Sequence, residues 1–486
     1  MQVDRFWFPF KRCRLDDHGN WPCEENGPPP EVALQPVQTT DTAVDGPPAL
    51  RALGPSIVKI QTTLPANYIE GTGGVRFSGH GLVVDAERGW VIADRNTVPL
   101  PIGDVTITVA RSIRIPAEVV LVHPIHNLSL IRYDPARLGR TVLKSARLDP
   151  KPLATGDRVW QVGLNSNSDY VALETLVSRI EPVNIAKPDW PSFQAVNVDV
   201  IHSRDNDADA GGVLCDRRGR VRALWATFFR DSSDDGRQSE NWGIPIRVVD
   251  DLLRQLRADA QPRGLAAQFS TLPLTSARDR GLSQERVDAI EGLDPVRRRV
   301  LFVERTIAGT QAATLLQSGD LVLAANGKTV SRFEHLAQVA QQPKVQLTVL
   351  RDGAEVQVQV PTLSLAGQSL DILAFWAGLV LHNPHWEVAT QQGQPRVGVY
   401  VAWSLSGSPG EGSGIGTVSR MVAVDGVDVA DLTGFLALVA DKKDREPVRL
   451  TLLNKRGKTY VRTLKVDLRY WPTRVFAQTG TGWSLR

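Results

Sequence analysis

The chain has 486 residues, 42% of them hydrophobic, and a formal net charge of +3. This length suits roughly two to four globular domains with ordinary hydrophobic cores, and the interspersed acidic and basic residues give no reason to expect nucleic-acid or anionic-membrane partners. No apolar run reaches the ~18 residues of a membrane span, and the N-terminus lacks the apolar segment of a signal peptide, so we expect neither feature and assign no compartment.

The chain contains three cysteines, Cys13, Cys23 and Cys215. Cys13 and Cys23 could close a small loop, but no second pair supports a disulfide framework. No group of cysteines and histidines has the spacing of a four-ligand zinc site. We therefore expect free thiols, with Cys215 on a buried strand, and neither a metal nor another cofactor.

The first 49 residues divide into an aromatic segment and a linker. Residues 1–23 are rich in phenylalanine and tryptophan, whereas residues 24–49 are rich in proline and polar side chains, which predicts an extended linker. The run Val3–Pro9 is similar to Val466–Pro472, since both pass from Val-Asp to an aromatic-Pro step. Such a repeat predicts that residues 1–23 end a domain whose body this chain lacks, and the alternative is coincidence between two aromatic segments.

Residues 50–257 have the pattern of many short strands. β-branched runs alternate with glycine, proline and aspartate, which mark turns. Four such runs are Gly81–Asp85, Gly89–Ala93, Asp104–Val109 and Ala117–Val122. The apolar spacing predicts one helix over 245–256, and the polar residues 230–241 are predicted to form a mobile surface loop. Regular strand spacing of this kind indicates an all-β barrel or sandwich.

Residues 263–362 and 370–468 form two units of a different kind, each with strands, a helix and a closing hairpin. In the first unit the dipeptide Asn326-Gly327 is a hairpin-turn signal, and residues 334–339 predict a helix. The second unit repeats this order, with Asp425-Gly426 and then a helix over 432–440. Residues 469–486 remain as a C-terminal aromatic tail.

Five short motifs follow one another through the region 50–257. They are Gly79–Val84, Val91–Val98, His123–Ile131, Ala210–Gly212 and Gly243–Pro245. In order and spacing they resemble the glycine-rich strand, the histidine motif, the aspartate motif, the nucleophile loop and the late Gly-Ile-Pro step of HtrA (Deg) serine proteases. The resemblance implies a mainly β fold, a chymotrypsin-like double β-barrel, at 50–257.

The two later units carry a second resemblance. The stretch Gln317–Lys328, with Gly-Asp before a strand and Asn-Gly after it, is similar to the signature of PDZ domains. The chain as a whole resembles the C-terminal half of the duplicated HtrA-like proteases of fungi, plants and some bacteria. This implies a degenerate protease domain followed by two PDZ domains at 263–362 and 370–468, with residues 1–23 as the tail of a preceding PDZ-like unit.

The catalytic residues of a serine protease are absent from the matched positions. Acyl transfer needs a hydroxyl nucleophile, an imidazole base and a carboxylate that orients the base. Here the corresponding residues are Ala210, Asn96 and Asn127. Alanine cannot attack, and an asparagine amide has no basic lone pair near neutral pH. Three changes at three separate motifs predict a domain that has lost proteolysis.

The loop that would stabilise an oxyanion is also changed. The family places a glycine two residues before the serine, and here Ala208 stands there, followed by Asp209. A β-carbon at this point disfavours the turn that aims two backbone N–H groups at an oxyanion. Gly211 and Gly212 are still present. They either form one side of a preserved peptide-binding site or are needed so that the turn can pack.

A relocated active site would have to use other side chains near the lost ones. The nearest candidates in the sequence are His80, His123, His126, Ser78, Ser129 and Ser203. Histidines with only a structural or surface role are the alternative, and we favour it, because a histidine and a serine within reach of each other are common in any barrel.

PDZ domains bind extended peptides at a sheet edge and capture a C-terminal carboxylate with backbone N–H groups of a glycine-containing loop. The residues predicted to form such loops are Trp376, Ala377, Gly378 and Leu379 in the second unit, and Gly264 and Leu265 in the first. The alternative is that these units act only as packing or oligomerisation surfaces.

Two functions follow from these resemblances. The first is a catalytically inactive HtrA-like protein whose PDZ units bind C-termini or extended peptide segments, as the scaffold or regulatory half of a quality-control or processing protease. The second is a fragment of an active duplicated serine endopeptidase whose catalytic half is absent from this chain. The expected partners are peptide segments, a catalytic protease half and further copies of the chain in a homo-oligomer, with no nucleic acid and no membrane span.

Overall fold

The computed structural model describes residues 12–13, 23–24, 42–65, 75–185, 191–206, 210–232, 236–366, 370–479 and 482–485. Within these ranges no helix combines the length and the apolar character needed to cross a membrane. Two short strands, Arg12–Cys13 (β1) and Cys23–Glu24 (β2), pair antiparallel, with Cys13 opposite Cys23. The segment Val3–Pro9 of the predicted repeat and most of the predicted linker lie outside the described residues.

The first barrel follows a short helix, Pro48–Leu53 (α1). Its strands are Ile57–Thr63 (β3), Arg76–Asp85 (β4), Trp90–Ala93 (β5), Asp104–Val109 (β6), Ile113–Val122 (β7) and Ser129–Tyr133 (β8). They close in the order β3-β4-β5-β8-β7-β6. Val105, Ile107 and Val109 of β6 point into the barrel core because alternate residues of a strand face opposite sides.

The second barrel closes in the order β10-β11-β14-β13-β12-β9. Its strands are Arg158–Leu164 (β9), Tyr170–Pro182 (β10), Asp199–Ser203 (β11), Gly211–Cys215 (β12), Val221–Ser232 (β13) and Gly236–Pro245 (β14). The helix Ile246–Arg257 (α2) comes next, as its apolar spacing predicted. Cys215 is a buried free thiol.

The predicted loop over 230–241 is wrong for the residues that the structure describes there. β13 and β14 continue as a hairpin, in which Arg230 lies opposite Gln238 and Ser232 opposite Gly236. A hairpin satisfies its backbone hydrogen bonds between its own two strands, so it can extend beyond a barrel with polar side chains. The polar composition therefore did not indicate the secondary structure that the described residues adopt.

One hydrophobic core joins the two barrels and both helices. It contains Leu50 of α1, Leu82 of β4, Val213 of β12 and Leu253 of α2. The double-barrel architecture implied by the sequence resemblance is thereby confirmed.

The first PDZ-like unit has a six-stranded sheet in the order β16-β17-β18-β20-β21, with β19 beside β18. The strands of this sheet are Ala267–Pro273 (β16), Arg299–Thr306 (β17), Leu321–Ala325 (β18), Lys328–Thr329 (β19), Lys344–Arg351 (β20) and Ala354–Pro361 (β21), and Arg263–Gly264 (β15) pairs separately with Leu363–Ser364 (β22). Its helices are Leu274–Arg278 (α3), Gln284–Leu293 (α4), Ala312–Leu315 (α5) and Phe333–Val339 (α6). Asn326 and Gly327 have φ values of 48° and 76° and form the predicted turn between β18 and β19.

The second PDZ-like unit belongs to a nine-stranded sheet in the order β29-β28-β26-β25-β24-β23-β30-β31, with β27 beside β26. Its strands are Ile372–Trp376 (β23), Leu379–His382 (β24), Val399–Ser404 (β25), Arg420–Val424 (β26), Val427–Asp428 (β27), Pro447–Leu453 (β28), Thr459–Lys465 (β29), Arg474–Thr479 (β30) and Gly482–Leu485 (β31). Its helices are Trp386–Gln391 (α7), Pro409–Gly412 (α8) and Leu432–Val439 (α9). The residues predicted as a C-terminal tail thus supply two strands of this sheet.

The second unit also packs directly on the first barrel. Leu64, Leu100 and Ile102 of the barrel lie in one buried cluster with Leu373 and Tyr400 of the second unit. This cluster fixes the second unit against the barrel without involving the first unit.

Candidate functional site

Asn96, which the motif comparison predicts to correspond to the catalytic histidine, lies in the turn that follows β5. Its side-chain Nδ2 donates a hydrogen bond to the backbone oxygen of Thr227 on β13, in the other barrel. Asp94 strengthens the same connection, since its carboxylate accepts hydrogen bonds from Thr97 N at 2.8 Å and from Thr227 N at 2.9 Å. Asn96 therefore acts as a donor that fastens the turn to the second barrel.

Asn127, which the motif comparison predicts to correspond to the catalytic aspartate, is almost fully buried. Its Oδ1 accepts a hydrogen bond from Arg95 N at 2.8 Å, and its Nδ2 donates one to Thr227 O at 2.7 Å. The amides of Asn96 and Asn127 therefore converge on one carbonyl oxygen. Because neither amide nitrogen carries a basic lone pair, this pair holds the barrels together and cannot relay a proton.

Ala210, which the motif comparison predicts to correspond to the nucleophile, directly precedes β12 and is buried. Its backbone oxygen accepts a hydrogen bond from Gln161 Nε2 at 2.9 Å. Position 210 thus carries a buried methyl group and no hydroxyl. Ala208 and Asp209 of the predicted oxyanion loop lie outside the described residues, so the loss of that loop stays a prediction.

Gly211 and Gly212 lie where β12 packs tightly against His80 and β9. A β-carbon on Gly211 would lie 2.0 Å from His80 Nδ1, and one on Gly212 would lie 2.2 Å from the backbone oxygen of Val162. Gly212 also has a φ of 133°, which favours glycine. These contacts support the packing explanation for the glycine pair.

We expect Gly212→Ala to lower the free energy of unfolding by about 2–3 kcal/mol, since a steric clash and backbone strain act together. Gly156→Ala is a matched control, because Gly156 has a φ of 91° but no heavy atom within 4 Å of its β-carbon position. Backbone strain alone should cost that control about 1 kcal/mol. Urea denaturation measures both variants, and equal losses would contradict the packing explanation.

The histidines considered for a relocated active site are neutral near pH 7, and His123 is buried whereas His80 and His126 are half-buried. Burial, with the nearby Lys59 charge, lowers the pKa of His80 to about 4, and burial lowers the pKa of His126 to about 4. His123 stacks on His126 with ring centroids 4.6 Å apart, and burial also lowers its pKa.

The serines near these histidines do not form a dyad with them. Ser129 Oγ donates its hydrogen bond to the backbone oxygen of Val98 at 2.7 Å. His123 Nδ1 accepts one from the backbone nitrogen of His126 at 2.9 Å. Among the residues that the structure describes, His80, His123 and His126 make no hydrogen bond to the hydroxyl of Ser78, Ser129 or Ser203. The histidines therefore have the surroundings of structural residues.

In the first PDZ-like unit, Gly264 and Leu265 line a cavity of about 490 Å³ between α2 and α6. Phe269 of β16 and Leu336 of α6 form part of its apolar wall. Gln341 holds the segment in place, because its side chain accepts a hydrogen bond from Arg263 N at 3.0 Å and donates one to Arg263 O at 2.9 Å. The two residues predicted from the sequence therefore lie beside a space that an apolar side chain could enter.

In the second unit, Trp376, Ala377, Gly378 and Leu379 lie at the connection between β23 and β24, and the carboxylate-binding role expected of them stays a prediction. Ala377 and Gly378, with φ values of 50° and 78°, form a tight turn in which Trp376 lies opposite Leu379. The backbone oxygens of Ala377 and Gly378 accept hydrogen bonds from Gly410 and Leu405 at 3.0 and 2.9 Å. A short glycine-containing segment suits either a loop or a hairpin turn, and here the preceding strand β23 makes it a turn.

The edge at which a PDZ domain would add a peptide is already paired in this unit. In strand order, β24 corresponds to β16 of the first unit, and β23 pairs antiparallel with it. Trp376 at the end of β23 packs edge-to-face on Phe435 of α9, with ring centroids 5.1 Å apart. The other side of β23 pairs with β30. A strand of the chain itself thus occupies the place of a bound peptide.

Sequence reasoning missed a buried ion pair between the first barrel and the second unit. Arg95 Nη1 lies 3.4 Å from Glu387 Oε1, and His385 Nδ1 lies 3.0 Å from Glu387 Oε2. Burial opposes ionisation of Glu387, but the Arg95 charge and the contact with His385 outweigh it and lower the pKa of this carboxyl to about 2. Sequence reasoning also missed Asn197 and Thr227, which make hydrogen bonds to distant parts of the chain. No local pattern marks any of these residues, because each acts through contacts with distant parts of the sequence.

Comparison with known proteins gives relatives over nearly the whole chain. No family model matches. A PDZ domain-containing protein of Schizosaccharomyces pombe is 32% identical over 488 residues, which cover 97% of this chain and 48% of that protein. Protease Do-like 7 of Arabidopsis thaliana is 30% identical over 516 residues, which cover 95% of this chain and 47% of that protein. The chain therefore spans about half the length of the curated relatives that it matches.

Among solved structures, the HtrA-type protease AlgW with a tripeptide superposes with a TM-score of 0.47 and 17% identity, over 65% of this chain and 95% of that one. The sequence relatives and the architecture agree with each other, since two closed barrels precede two PDZ-like sheets. The chain belongs to the HtrA family of serine protease homologues with PDZ domains, and it spans about half the length of its curated relatives.

Proposed function

We propose that the double barrel of this chain is proteolytically inactive, and that the chain serves as the scaffold or regulatory part of a quality-control or processing protease. The observation that carries this proposal is the convergence of the Asn96 and Asn127 amides on the backbone oxygen of Thr227. Where a protease holds its base and the carboxylate that orients the base, this chain has two hydrogen-bond donors that are both engaged.

The surroundings of position 210 support the same proposal. His80 lies beside Gly211, and its lowered pKa keeps it neutral near pH 7. A neutral imidazole can accept a proton, but the residue from which it would take one is the buried Ala210. Without a nucleophile at this position, a base nearby has nothing to activate.

The full chain should neither react with a fluorophosphonate probe nor cleave casein above the rate of a mock purification. The Ala210→Ser variant should also stay unlabelled, because burial and the Lys59 charge lower the pKa of the nearby His80 to about 4, which makes this imidazole a poor base for the new hydroxyl. Gel fluorescence after probe treatment and release of dye from labelled casein measure these two results. Labelling of the unmodified chain that disappears in Ser129→Ala or Ser203→Ala would contradict the proposal, since a contaminating protease would not respond to those changes.

We further propose that peptide segments bind to the first PDZ-like unit and not to the second. The first unit has a cavity beside Gly264 and Leu265, whereas in the second unit β23 already pairs with the corresponding edge. This assignment is supported by the need of PDZ domains for an unpaired edge strand. The expected ligands are C-termini or extended segments of other proteins.

A second candidate is that the natural polypeptide is an active serine endopeptidase, of which this chain is the non-catalytic half. It is supported by the relatives, which are about twice as long and include one named as a protease. The coding sequence upstream of the codon for Met1 tests it. An open frame that encodes a barrel with an intact histidine, aspartate and serine would support this candidate, and a promoter directly before Met1 would contradict it.

A further inference from the structure

The strand edge of the first PDZ-like unit is in contact with a side chain of the second barrel. β16 pairs with β17 on one side. On its other side, Asn197 Nδ2 donates a hydrogen bond to Ala267 O at 2.9 Å, and Asn197 Oδ1 accepts one from Phe269 N at 2.7 Å. Residues two apart in a strand point their backbone groups the same way, so a single carboxamide bridges both groups.

A carboxamide side chain offers the same N–H and C=O groups as a peptide bond. An extended peptide that joins the edge of β16 would form its hydrogen bonds with the same backbone groups of Ala267 and Phe269. Asn197 and such a peptide therefore cannot be bound to this edge at the same time. The side chain takes the place of one peptide group of an incoming strand.

The barrel holds Asn197 firmly in this position. Its φ of 57° is left-handed, a conformation that asparagine adopts more readily than most residues. Next to it, Val196 N donates a hydrogen bond to Ile125 O at 3.0 Å. Two residues on, the Asp199 carboxylate lies 2.7 Å from Arg297 of the first unit. The segment therefore presents Asn197 to β16 in a defined orientation.

The cavity described above lies between β16 and α6, and the barrel contacts the α6 side of it as well. Arg247 of α2 forms an ion pair with Glu334 of α6 at 3.2 Å. The groove between β16 and α6 is thus bounded by barrel residues on its strand side and on its helix side. Insertion of a peptide strand requires the barrel to release at least the strand side.

We propose that Asn197 is a built-in competitor for the strand edge of the first PDZ-like unit, so that a peptide pairs with β16 only after Asn197 has released Ala267 and Phe269. This inference rests on the proposed peptide binding of that unit. It couples occupancy of the groove to the contact between the unit and the barrel, because peptide binding and that contact use the same two backbone groups.

The test uses the full chain with Asn197→Gly, which removes the carboxamide and tolerates the left-handed backbone. The probe is an array of fluorescein-labelled peptides of about seven residues with free C-terminal carboxylates and apolar last residues. We expect the dissociation constant of the bound peptides to fall about tenfold, because two competing hydrogen bonds are removed. Fluorescence anisotropy measures it.

Asn326→Gly is a matched control in the same unit. Asn326 also has a left-handed φ, 48°, and its carboxamide also makes two hydrogen bonds, to Gln342 Oε1 at 3.1 Å and from Gln346 N at 2.9 Å. It lies in the turn between β18 and β19, away from the edge of β16. Its removal should leave the dissociation constant unchanged. Equal affinities of the unmodified chain and Asn197→Gly would overturn the proposal.

Hydrogen exchange at the amide of Phe269 separates this inference from the proposed function. Exchange in the absence of peptide should be faster in Asn197→Gly than in the unmodified chain, because the acceptor of this amide is gone. If no peptide binds to any variant, the proposed peptide function fails, and the exchange result alone decides the role of Asn197. Faster exchange then supports closure of the edge by Asn197, and unchanged exchange overturns it.

Discussion

Replacing Glu387 with glutamine lowers the free energy of unfolding by about 3–5 kcal/mol, because it leaves the charge of Arg95 buried without its partner. Both side chains are less than a tenth exposed, and their charged atoms are 3.4 Å apart. Arg95 cannot regain water without opening the contact between the first barrel and the second PDZ-like unit. Urea denaturation of the full chain, followed by tryptophan fluorescence, measures the loss.

Glu334→Gln is the matched control for this change. Glu334 forms an ion pair with Arg247 at 3.2 Å, but these side chains are 35% and 32% exposed. Water and salt screen such a pair, so its loss should cost less than about 1 kcal/mol. Similar losses for Glu387→Gln and Glu334→Gln would show that the Arg95–Glu387 pair is not the buried connection described above.

Acidification from pH 6.5 to about 4 should destabilise the protein by about 6 kcal/mol through two histidines. Burial lowers the pKa of His80, with help from Lys59, and that of His126 from 6.5 to about 4. The unfolded chain therefore binds these protons near pH 6.5, whereas the folded protein resists them until about pH 4. Each histidine then contributes a loss of about 3 kcal/mol as the pH falls through this range.

The urea midpoint, measured in steps from pH 7 to pH 4, tests this expectation. His126→Gln removes one of the two protonation events and should reduce the pH dependence by about half. Glu387 contributes little in this range, because its pKa is lowered from 4.5 to about 2, and most of the stability that its charge provides is lost below pH 4. A midpoint that is constant between pH 6.5 and 4 would contradict the burial of neutral His80 and His126.

The sequence predicts those parts of the fold that depend on local patterns. The strands of the barrels follow from runs such as Asp104–Val109, α2 follows from its apolar spacing, and the turn at Asn326-Gly327 follows from two residues that accept positive φ. The positions Asn96, Asn127 and Ala210 could be named because each lies inside a short motif that resembles the family.

The remainder depends on contacts between distant segments. That Asn96 and Asn127 share the carbonyl of Thr227 follows from the way that the barrels meet, which no local pattern encodes. That Trp376–Leu379 forms a tight turn depends on β23, which is itself held by the distant strand β30. Asn197 is one polar residue in an alternating stretch, and only the position of β16 gives it a role.

The buried cluster shared by the first barrel and the second PDZ-like unit has a consequence for folding during synthesis. Leu64, Leu100 and Ile102 leave the ribosome long before Leu373 and Tyr400, which cover them in the finished protein. Contacts between such distant residues close large loops and form slowly. Until residues 370–485 have been made, the nascent barrel therefore carries an uncovered apolar surface, and this stage of synthesis is the one at which aggregation or chaperone binding competes with folding.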